Sequence, residues 1–234
     1  VALKIHSTKE AAIDSHINAI IYGQSGIGKT VLCGTAPNPL ILSAEDGLLS
    51  LAGQDIDFVK ISKFQDLIDV YNEVSKSDEH SYETICIDSL SEVCETILAE
   101  RKKEERDPRQ AYGKMAEEII AAVRKFKKLP YHIFFIAKQG RIEDQMTGKQ
   151  SYGPSFPGQV LPANMPYQVD LLVAMRIGKH EGKEYRYLQT APDIQYEAKD
   201  RSGILAPKEP PDLSVLISKI RDHTKTEIET KEDK

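Results

Sequence analysis

Residues Gly23, Gln24, Ser25, Gly26, Ile27, Gly28, Lys29 and Thr30 spell G-x-x-x-x-G-K-T, and the segments on either side narrow the fold more than anything else in the chain. Before them runs Ile17 to Tyr22, an apolar stretch of strand length; after them Thr30 to Cys33 begins a short helix that stops before Pro37. Strand, glycine turn and helix in that order make a P-loop. Its glycines let backbone N–H groups curl around phosphate oxygens, and the helix N-terminus adds positive potential at the same point. In such a loop Lys29 reaches the β and γ phosphates of a nucleotide, and the Thr30 hydroxyl binds Mg²⁺. A glycine turn arising by chance would lack these flanks.

The rest of the chain continues the alternation. Leu40 to Ser43, Phe58 to Ile61, Thr84 to Ile87 and Tyr131 to Ala137 read as buried strands. Ser62 with Gln65 forms a capping box before the helix of Phe64, Leu67, Ile68, Tyr71 and Val74. Leu90, Val93, Cys94, Ile97 and Leu98 stripe a second helix; Tyr112, Met115, Ala116, Ile119, Val123 and Phe126 stripe a third, ended by Pro130. Between these two helices lies an exposed basic loop, Arg101 to Arg109. Gly140 to Pro166 shows no periodicity and reads as a long functional loop. Val169 to Arg176, Tyr185 to Gln189 and Ile194 to Ala198 read as later strands, and Asp212 caps a last helix with Leu213, Leu216, Ile217 and Ile220 inward. The predicted fold is α/β, a mostly parallel central sheet flanked by helices on both faces. Residues 1–223 form one domain, and 224–234 a charged, disordered tail.

A P-loop needs a second acid to hold the metal at the end of a neighbouring apolar strand, and Thr84-Ile85-Cys86-Ile87-Asp88-Ser89 supplies Asp88. A carboxylate that activates water must sit at the same sheet edge yet stay off the metal. Glu45 follows the strand Leu40 to Ser43 and qualifies; the alternative is a solvated acidic turn.

Here the chain resembles the RecA family of recombination ATPases. Pro39 to Leu48 is similar to the RecA segment carrying the catalytic glutamate, and Cys86-Ile87-Asp88-Ser89 to the RecA Walker B ending in Asp-Ser. Phe134 to Gln139 resembles the strand whose terminal Gln senses the γ-phosphate; Lys138 or Gln139 could occupy that position, and the neutral amide favours Gln139. Glu197 to Gly203 resembles the Lys-x-Lys or Lys-x-Arg element that RecA and DnaB-type helicases insert into the neighbouring subunit's site, which implies roles for Lys199 and Arg201. The resemblance spans about Ile17 to Gly203, and the size points to the small phage Sak-type single-strand annealing proteins. It implies ATP and Mg²⁺ as ligands, a head-to-tail homo-oligomer, single-stranded DNA as partner, and a single-strand-binding protein as a further partner.

The whole chain of 234 residues carries a net charge of −5, so nucleic-acid binding requires a local basic surface. Residues 101–128 hold ten basic residues against five acidic ones, a local charge of +5. In the RecA comparison the first DNA loop falls at Arg101, Lys102, Lys103, Arg106 and Arg109. The second falls at Gly140 to Ala163, where Arg141, Lys149, Tyr152 and Phe156 mix cations with stacking rings. A solvated helix face and a mobile lid are the alternative. Cys33, Cys86 and Cys94 indicate neither a disulfide framework nor a zinc site, and the six scattered histidines have no ligand spacing. No apolar run approaches the roughly 18 residues of a membrane span, and a cytoplasmic location is expected. The reading is an ATP-dependent recombination protein on single-stranded DNA. Its rivals are a RecA-core helicase-like motor or helicase loader, and a nucleotide-switched binding module with little turnover.

Overall fold

The computed structural model describes residues 16–45, 47–76, 80–143, 148 and 150–230. In chain order these form β1 (Asn18–Gly23), α1 (Lys29–Cys33), β2 (Pro39–Ser43), a 3-10 turn (Leu48–Leu51), β3 (Phe58–Lys60), α2 (Phe64–Val74), β4 (Thr84–Asp88) and α3 (Leu90–Glu104). Then follow α4 (Pro108–Phe126), β5 (His132–Glu143), β6 (Gln150–Ser155), α5 (Val160–Gln168), β7 (Leu171–His180), β8 (Lys183–Gln189), β9 (Lys199–Asp200), β10 (Lys208–Glu209) and α6 (Leu213–Thr230). The strands make one sheet in the order β10-β8-β7-β1-β5-β4-β2-β3, with β6 added to β5 and β9 to β7. β7, β1, β5, β4, β2 and β3 run parallel. Strands β6, β8, β9 and β10 pair antiparallel.

Successive strand residues point to opposite faces, and both faces are apolar, which demands helices on both sides. Ile20, Tyr22, Ile85, Ile87, Ile133 and Phe135 pack with residues of α2, α3, α4 and α5. Ala19, Ile21, Cys86, Phe134 and Ile136 pack with Leu32 of α1, Leu51 of the 3-10 turn and Leu213, Leu216 and Ile217 of α6. Phe134 and Phe135 are both fully buried, so truncating either to Ala would cost about 3–5 kcal/mol. The register sets Gly23 beside Lys138 and Ser43 beside Asp88. The P-loop and the ends of β2 and β4 thereby share the carboxyl edge, where open α/β sheets place their sites.

Several expectations are corrected. β3 is an edge strand with Phe58 exposed, because only β2 pairs with it. The cap of α2 shifts by one residue: the Asp66 carboxylate accepts from the Ser62 and Lys63 N–H groups. The basic loop shrinks to Glu105–Asp107, since Glu100 to Glu104 are strong helix formers that prolong α3, while Asp107 caps α4 and Pro108 occupies its first turn. Tyr112 leaves the core stripe of α4, which runs through Ala111 instead. The 140–166 stretch is a β5–β6 hairpin followed by α5; its Pro154 is tolerated because β6 is an edge strand. Of the strand expected at Ile194 to Ala198 only a bridge from Tyr196 to Tyr152 forms. Asp212 caps α6 as expected, accepting from Ser214 and Val215 N–H groups, but the helix runs past His223 to Thr230, where a disordered tail was expected from residue 224.

Candidate functional site

β1 delivers the chain into its glycine turn at the carboxyl edge. Gly26 and Gly28 take φ values of +73° and +103°, in the region that side chains disfavour, and Gly28 caps α1. Lys29 follows. Its ammonium folds back to donate to the Gly23 and Gln24 carbonyls at 3.0 and 2.9 Å. Burial lowers its pKa, and the nearby Asp88 and Glu45 oppose that shift. Thr30 Oγ1 donates to Asp88 Oδ2 at 2.6 Å. The Asp88 pKa is raised by burial first and by Glu45, against the Thr30 hydrogen bond and Lys29.

Glu45 stands just beyond β2. Its Oε1 accepts from the Ser89 hydroxyl at 2.6 Å, and its carbonyl accepts from the Ser43 hydroxyl at 2.6 Å. The Ala44 N–H donates to the Asp88 carbonyl at 2.8 Å, which ties the ends of β2 and β4 together. The Asp88–Ser89 peptide is cis. Lys29, Thr30, Glu45 and Asp88 open onto one cavity of about 480 Å³, walled also by Met175, Arg186 and Pro211. That volume lies in the range of small-molecule sites. Paired hydroxyl and carboxylate oxygens with neighbouring backbone amides are the donor set of a magnesium-bound phosphate.

The other proposed site residues lie elsewhere. Lys138 forms ion pairs with Glu92 and Glu95 of α3 at 2.5 and 3.3 Å, and neither it nor Gln139 lines the cavity. Lys199 donates to the Pro166 and Val169 carbonyls, and Arg201 pairs with Asp170 at 3.4 Å. β9 joins the start of β7, so these two residues sit at the sheet edge opposite the P-loop. Arg101 is bound to Glu104 and Glu118 at 2.5 and 2.8 Å, as a brace between α3 and α4 and not a free loop cation. Phe156 is buried in the core. Tyr152 packs against Tyr196 at 5.1 Å, and its carbonyl accepts from the Tyr22 hydroxyl. Lys149 lies outside the described residues. Lys102, Lys103, Arg106 and Arg109 remain exposed, with Lys102 over the Tyr112 ring at 5.1 Å. Arg141 borders a second groove with Tyr167.

Sequence reasoning missed Ser89 and Arg186. The Asp-Ser pair pointed toward the first; nothing in Tyr185-Arg186-Tyr187 marked the second.

Residues 15–202 match the family model described as an AAA domain, most of the chain. The protein belongs to the AAA domain family. As an AAA domain it is a P-loop ATPase domain, and its fold is the mostly parallel sheet flanked by helices described above. A comparison with curated proteins finds no match. Among solved structures this AAA domain is similar to a KaiC-like protein from the hyperthermophilic archaeon Pyrococcus horikoshii OT3, at 13% identity and a TM-score of 0.45, covering 74% of this chain and 76% of that one. Among the described residues no helix is long and apolar enough to cross a membrane.

Proposed function

We propose that this protein hydrolyses ATP with Mg²⁺ where subunits of a homo-oligomer meet, and couples the reaction to binding single-stranded DNA in annealing or strand exchange, in the manner of Sak-type recombination proteins. The observation that carries the ATPase reading is the meeting of Lys29, Thr30, Glu45 and Asp88 in one cavity. Thr30 and Asp88 would hold Mg²⁺, and the bound ion would supply charge neutralisation to the phosphoryl group being transferred. Lys29 gives up two backbone carbonyls to meet phosphate oxygens. Glu45 accepts the proton of the attacking water, and the Ser89 hydroxyl fixes the orientation of its carboxylate.

The DNA reading is supported by cations interleaved with rings. Lys102, Lys103, Arg106 and Arg109 surround the α3–α4 junction. The ring of Tyr112 covers Gly158, which opens onto the groove of Arg141 and Tyr167. Exposed rings and Lys or Arg along a groove suit an unpaired strand, whose bases stack while its phosphates pair. Lys199 and Arg201, at the opposite edge from the P-loop, are proposed to act on the triphosphate of a neighbouring subunit. A single-strand-binding protein is the proposed further partner.

The test is ATP turnover in Mg²⁺ with no DNA, with single-stranded DNA and with duplex. Faster turnover on single strands is expected. Equal turnover in all three would sink the DNA reading, and none in any would sink the ATPase reading.

A further inference from the structure

The cavity holds a cation that neither nucleotide motif supplies. Arg186 stands on β8, separated from β1 in the sheet only by β7. Its side chain crosses toward the P-loop, where Nε donates to the Ile27 carbonyl at 2.7 Å. A Cβ built on Gly28 would lie 3.7 Å from that Nε and 3.8 Å from Cδ, so the arginine rests directly on the turn. It lines the same cavity as Lys29, Thr30, Glu45 and Asp88. Among the described residues Arg186 has no carboxylate partner, whereas Arg101, Arg176 and Arg201 each have at least one.

We propose that Arg186 is a nucleotide-binding residue that holds the polyphosphate from within the same subunit. The guanidinium has five N–H donors. With Nε spent on Ile27, the two terminal amino groups remain, and the anchoring bond fixes their plane. A planar fork of this kind matches phosphate oxygens in pairs. Charge balance points the same way. Among the described residues that line the cavity, Lys29 alone faces the carboxylates of Glu45 and Asp88, so without Arg186 these described walls would be net negative, against the entry of an anionic substrate. Arg186 brings those walls to neutrality. The proposal rests on the reading of this cavity as the ATP site.

The test compares Arg186→Gln, Arg186→Lys and Arg186→Ala with wild type in titrations with ATP and with inorganic tripolyphosphate, in Mg²⁺ at low salt, alongside thermal melting of the free proteins. Arg186→Gln can still donate to Ile27 but carries no charge. Arg186→Gln and Arg186→Ala are expected to weaken both ligands by about 10- to 100-fold, as loss of a charge-assisted hydrogen bond does. Arg186→Lys should recover part of the loss, with the melting temperature of Arg186→Gln unchanged. Wild-type affinity in Arg186→Gln would overturn the proposal, since only the bond to Ile27 would then matter. So would a loss confined to ATP, which would place the contact on base or ribose. If wild type binds neither ligand, the assignment of the cavity itself fails.

Discussion

His132 opens β5 with its ring inside the protein, only 3% exposed. Its Nδ1 accepts the N–H of Ile17 at 3.0 Å, which requires a neutral imidazole with its proton on Nε2. Protonation would set one N–H against another and leave a charge without water. Burial first, then the nearby His16 and Arg221, pull its pKa from 6.5 down to about 4. A base with a depressed folded pKa stays neutral in the native state while the unfolded chain takes up a proton. This contribution is therefore fully present above about pH 6.5, shrinks as the pH falls and is gone near pH 4. The interval between the two values corresponds to about 3 kcal/mol. His132→Asn keeps an acceptor for Ile17 without a group that titrates in this range. Urea unfolding of both proteins from pH 7.5 to 4.5 should show wild type losing about 2–3 kcal/mol more than the variant. Parallel loss in the two proteins would refute the reasoning.

Ser89→Ala removes both the donor to Glu45 and the acceptor that caps α3 at the Glu92 N–H; unfolding should show a loss of about 1 kcal/mol, and kinetics a turnover about tenfold lower at unchanged ATP affinity. Replacing Lys102, Lys103 and Arg106 together by Gln should reduce the slope of log affinity for single-stranded DNA against log salt by about 2, whereas Arg101→Ala should lower stability and leave that slope alone. Arg201→Ala and Glu45→Gln should each be inactive, yet regain activity when mixed. About one interface in four then pairs an intact Glu45 with a neighbour's intact Arg201. Continued inactivity after subunit exchange is shown would end the trans role.

The P-loop and its neighbouring acids were legible in the sequence because each rests on local rules. A glycine turn needs its glycines at fixed places, and buried parallel strands read as unbroken apolar runs that end where Ser43 and Asp88 meet in register. The β5–β6 hairpin was not legible: Gly140 and Gly153, which pair across it, signal a break in isolation. Phe156 read as a stacking ring, because a lone aromatic in a glycine-rich stretch gives no sign of the α5 residues that cover it. Arg101 read as a loop cation because its partner Glu118 lies a helix away. Arg186 was hidden for the same reason: its partner on the P-loop is distant in sequence.

The central claim is that Lys29 and Glu45 do separate work in one cavity, and paired measurements of Mg²⁺-ATP affinity and steady-state turnover on wild type, Lys29→Ala and Glu45→Gln test it most directly. Lys29→Ala should lose binding and turnover together, as a phosphate-facing ammonium has no substitute in a methyl group. Glu45→Gln should bind ATP as wild type does and have its turnover lowered by about a hundredfold or more. Normal turnover by Glu45→Gln would contradict the account, because the carboxylate held by Ser89 would then have no part in the chemistry.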